Sequence, residues 1–190
     1  MTKSHLITFI SAILMAAAAH AAPIAYLLDH DASTVAFETD FGPDKITGTI
    51  PLNSADLTLD FKSVSNCTIN VELDVSGAQA SFPFAAQALK GPKVLDAKEH
   101  PKMIFKSISV KAVGNGASVA GNLTIRGVTR PVTLQAEIFR QKGTAEGELK
   151  HLTVRLTGAV NRSDFGATGW SDMVSDEVRI IITARIDAKE

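Results

Sequence analysis

Two stretches of the chain, residues 118–125 and 132–138, alternate apolar and polar side chains with a period of two. This is the pattern of a β-strand with one buried face. Between the stretches, Gly127 permits a positive φ, and Pro131 fixes its own φ and lacks a backbone donor where the second strand starts. The segment GNLTIRGVTRPV at 121–132 therefore predicts a β-hairpin and directs attention to an all-β fold.

The same alternation recurs along most of the chain after residue 25. The further predicted strands are 26–29, 35–41, 46–52, 57–61, 67–75, 102–113, 152–160 and 178–186, with turns at 29–33 and 42–44. Strands with one dry face pack as two sheets or close into a barrel. Long strands joined by hairpins favour an antiparallel barrel of about eight strands, which is filled by side chains or holds one small ligand.

The alternation breaks between residues 76 and 101, where apolar residues recur at spacings of three and four. Pro83, Gly91 and Pro92 restrict this insert to short turns of helix, because proline is unfavourable inside a helix. In the strand that follows, Ile104, Ile108 and Val110 oppose Met103 and Phe105. We interpret this as a strand that lies beneath the helix and above an interior.

The first 21 residues have the pattern of a secretory signal peptide. Lys3 precedes an apolar run from Leu6 to Ala19, and Ala19-His20-Ala21 resembles a cleavage site. The run is too short to span a bilayer. We expect residues 1–21 to be removed and residues 22–190 to form one domain in the periplasm.

Composition and motifs limit the function classes. The near balance of 19 basic and 20 acidic residues does not favour nucleic acid as a partner. Cys67 is the single cysteine, so no internal disulfide forms, and its place on an apolar face indicates a buried thiol. We find no zinc-protease, nucleophile-elbow or phosphate-loop motif, and we expect no metal site and no catalytic residue.

A polar group near the end of the chain has two interpretations. Arg162, Asp164, Asp176 and Glu177 either form a functional cluster with a bidentate ion pair or fix a loop over the end of the barrel, and we favour the structural role. The aromatic residues near the predicted mouth are equally ambiguous, because they suit a ligand pocket or plugs of a filled core. From the residues alone both interiors stay open.

Five segments, in order, resemble the YceI-like family of lipocalin-like barrels. They are YLLDHDASTVAF at 26–37, VLDAKEHPKMIFKSISV at 94–110, GNLTIRGVTRPV at 121–132, NRSDFG at 161–166 and SDEVRI at 175–180. The resemblance implies an exported, extended antiparallel barrel with a short helical insert near one opening. It implies a non-enzymatic carrier whose apolar interior holds a polyisoprenoid lipid, such as an isoprenoid quinone or a polyprenyl chain. The chain departs from many members at 88–90 and 93–96, where they carry phenylalanines, so we expect a differently shaped mouth.

We expect the dry faces to form an apolar tunnel around this lipid. Its predicted lining is Phe37, Leu59, Phe61, Ile69, Val71, Leu73, Phe82, Phe84, Leu89, Leu95, Phe105, Leu123, Ile125, Leu134, Leu152, Val154, Leu156, Phe165 and Trp170. We expect no covalent cofactor and no integral membrane segment in the mature chain. A transient contact with a membrane or a membrane redox protein, and a monomer or homodimer, fit this function. The alternative is a stress-response or protein-interaction barrel with a filled core and no lipid.

Overall fold

The structure is a computed structural model that describes residues 23–140, 143–145 and 147–189. The predicted signal peptide and its cleavage site lie outside the described residues. Within them, the elements are β1 (Ile24–Phe41), β2 (Asp44–Thr49), β3 (Leu52–Leu59), β4 (Thr68–Asp74), β5 (Gln79–Ala80), α1 (Pro83–Lys90), β6 (Lys102–Val113), β7 (Gly116–Ile125), β8 (Val128–Arg140), β9 (His151–Asn161) and β10 (Glu177–Ala188). Short 3-10 helices span Val64–Asn66 and Arg162–Phe165.

Eight of the strands close into an antiparallel barrel, as predicted. Around the barrel the order is β1-β3-β4-β6-β7-β8-β9-β10, and β10 pairs again with β1. Strand β2 pairs with the last residues of β1, and β5 pairs with β2, so these two short strands extend the wall at one end. The predicted helical insert is confirmed as α1 and the short turns that follow it.

The hairpin at 121–132 is confirmed as β7 and β8. Arg126 and Gly127 form its turn with φ values of 51° and 72°, which is the geometry of a type I′ turn. Gly121 lies where the missing side chain leaves room for an aromatic ring, because a Cβ there would be 2.5 Å from the ring of Phe105. The hairpin thus provides two barrel strands and, at Gly121, the space that the ring of Phe105 occupies.

The turn predicted at 29–33 is wrong, because β1 is continuous through these residues. The register between β1 and β10 shifts between Asp29 and Thr34, so the turn-forming residues are accommodated as a bulge. The carboxylate of Asp29 accepts hydrogen bonds from the backbone N–H groups of Asp31 (3.1 Å) and Ala32 (3.0 Å). Pairing with β10 on both sides of the bulge keeps the strand extended.

The two-faced pattern of β6 also has a different cause from the one we predicted. Ser107 pairs with Gly121 and Ser109 pairs with its neighbour Ala120, so Ile108 is the extra residue of a β-bulge. Its side chain is 68% exposed, while Val110 beyond the bulge is buried. The bulge therefore changes which alternate residues point inward, and this explains Ile108 and Val110 without a covering helix. Ile104 precedes the bulge and is half-buried on the face opposite Met103.

Candidate functional site

The barrel encloses an apolar cavity of about 330 Å³ whose wall includes residues from all eight barrel strands. Helix α1, the turns after it and the loop that precedes β10 complete the wall at one end. Because side chains alternate along each strand, one face of every barrel strand contributes to this interior.

Within the described residues, the cavity wall has two polar side chains, Thr39 and Arg162. Both residues are buried. The hydroxyl of Thr39 lies 2.9 Å from the carbonyl oxygen of Glu177 and 3.2 Å from that of Ser175. Thr39 is thus satisfied by the protein itself and needs no partner in the cavity.

Arg162 holds the loop before β10 through backbone carbonyls. Its Nε donates to Ser175 (2.9 Å), its Nη1 to Ala167 (2.6 Å) and Gly169 (2.8 Å), and its Nη2 to Val174 (2.9 Å). Burial lowers the pKa of Arg162, because a buried charge loses its hydration. Four hydrogen bonds to carbonyl oxygens replace much of that hydration.

The bidentate ion pair considered for Arg162 is not formed. Asp176 instead accepts hydrogen bonds from the hydroxyl (2.6 Å) and the backbone N–H (2.8 Å) of Ser163, and the first of these chiefly lowers the pKa of Asp176. Glu177 contacts Arg179 at 3.2 Å. These contacts favour the structural interpretation, in which the cluster fixes a loop over the barrel end.

The structure places fifteen of the nineteen predicted lining residues on the cavity wall. They are Phe37, Ile69, Val71, Leu73, Phe82, Phe84, Leu89, Leu95, Phe105, Leu123, Ile125, Leu134, Leu156, Phe165 and Trp170. The prediction omitted several wall residues that the structure adds. Among them are Phe41, Met173 and three alternate residues of β10, Ile180, Ile182 and Ala184, whose period of two marked them as inward-facing.

The other four predicted residues, Leu59, Phe61, Leu152 and Val154, do not reach the cavity wall. They pack in a second apolar cluster around Tyr26. The rings of Tyr26 and Phe61 lie edge to face with centroids 6.2 Å apart, and the Tyr26 hydroxyl donates to the carbonyl of Leu149 at 2.8 Å. This packing fills the barrel interior around Tyr26, so these side chains lie inside the barrel but do not line the cavity.

Exposed wall residues mark the opening of the cavity. Four side chains both line the cavity and are exposed to solvent: Phe82, Phe84, Trp170 and Met173. The first two lie at the start of α1, and the other two lie in the loop that Arg162 holds.

The tip of the β7–β8 hairpin braces the segment that follows α1. Arg126 Nη1 donates to the carbonyls of Pro92 and Val94, both at 2.8 Å. Gly127 lies against His100, because an added Cβ would be 3.3 Å from its ring. Sequence analysis assigned no role to Arg126, since its partners are more than 30 residues away along the chain.

No helix in the described part of the chain is long and apolar enough to cross a membrane.

Comparisons with known proteins agree with this architecture. Residues 26–186 match the family model described as YceI-like domain. "Protein YceI" of Salmonella arizonae is 28% identical over 184 residues, which are 95% of this chain and 96% of that protein. The crystal structure of Burkholderia cenocepacia BcnA has a TM-score of 0.75 at 23% identity and covers 84% of this chain and 99% of that one.

A Campylobacter jejuni YCEI protein has a TM-score of 0.62 at 25% identity and covers 72% of this chain and 81% of its own. The resemblance seen in the five sequence segments is therefore confirmed. The barrel fold of these proteins is consistent with a binding role, and this chain belongs to the YceI-like family.

Proposed function

We propose that this protein is a periplasmic carrier that holds a polyisoprenoid lipid in its barrel cavity. The observation that supports the proposal most directly is the composition of the cavity wall. In the part of the chain that the structure describes, its side chains are apolar except for those of Thr39 and Arg162, which hydrogen-bond to backbone carbonyls. The wall therefore suits a long apolar chain better than a compact polar molecule.

Burial of the lipid's apolar chain supplies the binding energy in this proposal. Each buried CH₂ contributes roughly 0.8 kcal/mol, so a long prenyl chain needs few polar contacts. The family resemblance supports an isoprenoid quinone or a polyprenyl chain over other long apolar chains. The open interior favours this function over the alternative of a filled barrel that acts only through its surface.

The proposed function includes no catalytic step. Arg162 is the titratable side chain on the described cavity wall, and its guanidinium is engaged by four carbonyls of one loop. A group held in this way cannot readily exchange a proton with a cargo, and general acid or base catalysis needs a pKa near the working pH. Among the described residues, the wall therefore offers no general acid or base.

Native mass spectrometry of protein purified without detergent tests the proposal. We expect a one-to-one complex whose added mass, after solvent extraction, matches a quinone or a polyprenyl lipid. Repeated isolation without lipid, together with an experimental structure in which the cavity has collapsed, would contradict the carrier function. Recovery of a stable protein complex in its place would favour the interaction barrel.

The periplasmic location is tested separately. Fractionation of cells that express the full chain should recover the protein in the periplasmic fraction, with residue 22 at its N-terminus. A cytoplasmic protein that retains residues 1–21 would contradict this part of the proposal.

A further inference from the structure

Four apolar side chains are exposed around the cavity opening. Phe84 is 69% exposed, and Phe82, Met173 and Trp170 are 38%, 49% and 36% exposed. We call these four residues the rim. Scattered exposed apolar residues are ordinary, but a cluster around the mouth of an apolar cavity points to a binding surface.

Contacts connect the two halves of the rim on one side of the mouth. The ring of Phe82 lies against that of Phe41, with centroids 6.5 Å apart. The next residue, Gly42, donates its N–H to the carbonyl of Met173 at 3.2 Å. Met173 in turn donates to the carbonyl of Trp170 at 3.1 Å. The rim is therefore one connected structure on this side.

A second connection joins the loop of Trp170 and Met173 to the segment that follows α1. The N–H of Gly169 donates to the carbonyl of Lys93 at 2.8 Å, and Lys93 follows closely after the end of α1. The last helical residue, Lys90, is three residues before Lys93. None of the ion pairs among the described residues includes either lysine.

This chemistry fits the interface of a bilayer. Tryptophan and phenylalanine insert between head groups and acyl chains, while neighbouring lysines extend toward phosphates. Asp172, between Trp170 and Met173, and Asp176 are exposed acidic residues of the same loop, and they restrain the attraction to anionic lipid. We infer that the rim docks the protein on a lipid bilayer, with the cavity opening directed toward the acyl layer.

The inference rests on the proposed function for the identity of the cargo. An isoprenoid that crossed water would expose its apolar chain, at a free-energy cost that rises with every exposed CH₂. A rim seated in the bilayer gives the cargo an apolar path into the cavity. A protein seated on the same rim would instead cover the opening, which is why we assign the surface to lipid.

Trp170 makes the docking measurable, because it is the single tryptophan of the chain. The mature protein is titrated with vesicles of phosphatidylethanolamine and phosphatidylglycerol. We expect a blue shift of Trp170 emission, quenching by brominated acyl chains and flotation of the protein with the vesicles. The two fluorescence readouts require the mouth itself to contact the lipid, whereas flotation reports binding of the protein as a whole.

Two serine substitutions form a matched pair. Phe84 and Ile108 are 69% and 68% exposed, but Ile108 projects from the β6 bulge and does not line the cavity. We expect Phe84→Ser to weaken vesicle binding about tenfold, by loss of one buried aromatic side chain. Ile108→Ser should change binding by less than about twofold, since surface positions outside an interface contribute little.

Several results would overturn the inference. These are a wild-type protein that does not bind vesicles, equal losses in the two variants, or a rim-dependent dimer that forms in place of vesicle binding. Native mass spectrometry of the same preparations separates this inference from the proposed function. If the protein carries lipid but does not bind vesicles, only the docking inference is overturned. If the protein binds vesicles but never carries lipid, docking is supported and the carrier function is overturned.

Discussion

Arg126 Nη1, at the tip of the β7–β8 hairpin, donates a 2.8 Å hydrogen bond to the carbonyl of Val94, in the segment that follows α1. The same nitrogen reaches the carbonyl of Pro92. Val94 lines the cavity, so this one side chain connects a turn of the barrel to the cover of its opening. Arg126 is the first of the two central residues of the type I′ turn, which requires its positive φ.

Replacement of Arg126 should loosen the insert without unfolding the barrel. Arg126→Asn keeps a residue that tolerates a positive φ but removes both hydrogen bonds. We expect a loss of about 1–2 kcal/mol in the free energy of unfolding and faster hydrogen exchange at the amides of Leu95 and Ala97, which bond within the insert. Arg130→Asn is the control, because Arg130 makes one 3.3 Å bond to its neighbour Thr129. Equal effects of the two substitutions would refute the bracing role.

Arg162 should be more costly to replace than Arg126, because it is buried and satisfies four carbonyls. We expect Arg162→Met to lower the free energy of unfolding by about 3 kcal/mol or more. Arg162→Lys keeps the charge but cannot reach the same carbonyls together, so it should restore less than half of this loss. Denaturant titration followed by Trp170 fluorescence measures both. Full recovery with lysine would show that charge alone matters.

Gly121 should tolerate no larger side chain while Phe105 keeps its ring. An alanine Cβ would lie 2.5 Å from that ring and 2.6 Å from the carbonyl of Lys106. We expect Gly121→Ala to destabilise the fold by about 1–3 kcal/mol through overpacking. Phe105→Leu in the same chain should relieve the clash with the ring, so the double variant should lose less than the sum of the two single losses. Strict additivity in a double-mutant cycle would contradict this packing.

Lipid occupancy should depend on the cavity wall and not on the packed cluster around Tyr26. Ala184 and Ala188 lie four residues apart on β10, and both pack against the Tyr26 cluster. Ala184 also lines the cavity, whereas Ala188 does not. We expect Ala184→Phe to lower the lipid-bound fraction several-fold, because its ring occupies cavity volume. Ala188→Phe should keep the lipid. Native mass spectrometry after circular dichroism has confirmed folding gives the comparison, and equal occupancy in both variants would place the lipid elsewhere.

Asp60 should make the stability of the barrel sensitive to acid. Its buried carboxylate accepts from Asn66 Nδ2 and from the backbone N–H groups of Lys62 and Ser63, all at 2.9 Å. The bond from Asn66 first, and then that from Ser63, holds the pKa of Asp60 below its usual value. A depressed folded pKa contributes stability above the ordinary value of about 3.9 and loses it as the pH falls through the lower folded value.

The measurement is the free energy of unfolding between about pH 6 and 2. The wild type should lose stability more steeply below about pH 4 than Asp60→Asn, which carries no titrating carboxyl at this position. Parallel curves would show that other carboxylates dominate the acid sensitivity.

The strands of the barrel could be predicted from the sequence because the alternation of apolar and polar residues is a local signal. The alternation of β7 and β8 identifies Leu123, Ile125 and Leu134 as inward residues, and all three are buried on the cavity wall. The bulge at Ile108 is not readable in this way, because it is defined by pairing with β7. A period of two therefore finds strands but not the place where a strand changes face.

The depth of an inward residue is equally non-local. Leu152 and Leu156 share one face of β9, yet Leu156 lines the cavity and Leu152 packs beside Tyr26. Their alternation is identical, and what differs is which residues of other strands pack against them. The loop-fixing role of Arg162 was the favoured interpretation, but its partners and the role of Arg126 could not be predicted, since the loop carbonyls that accept their hydrogen bonds carry no side-chain signature.

Both arginines grip main-chain oxygen atoms, and this has an evolutionary consequence. A carbonyl is present whatever side chain a residue bears. The side chains of the segments at 92–94 and 167–175 can therefore be substituted while the hydrogen bonds to the two arginines are kept. Substitutions in these segments can consequently adapt the cavity opening to another lipid without loss of the hydrogen bonds that hold it. Selectivity and foldability are separable at this end of the barrel.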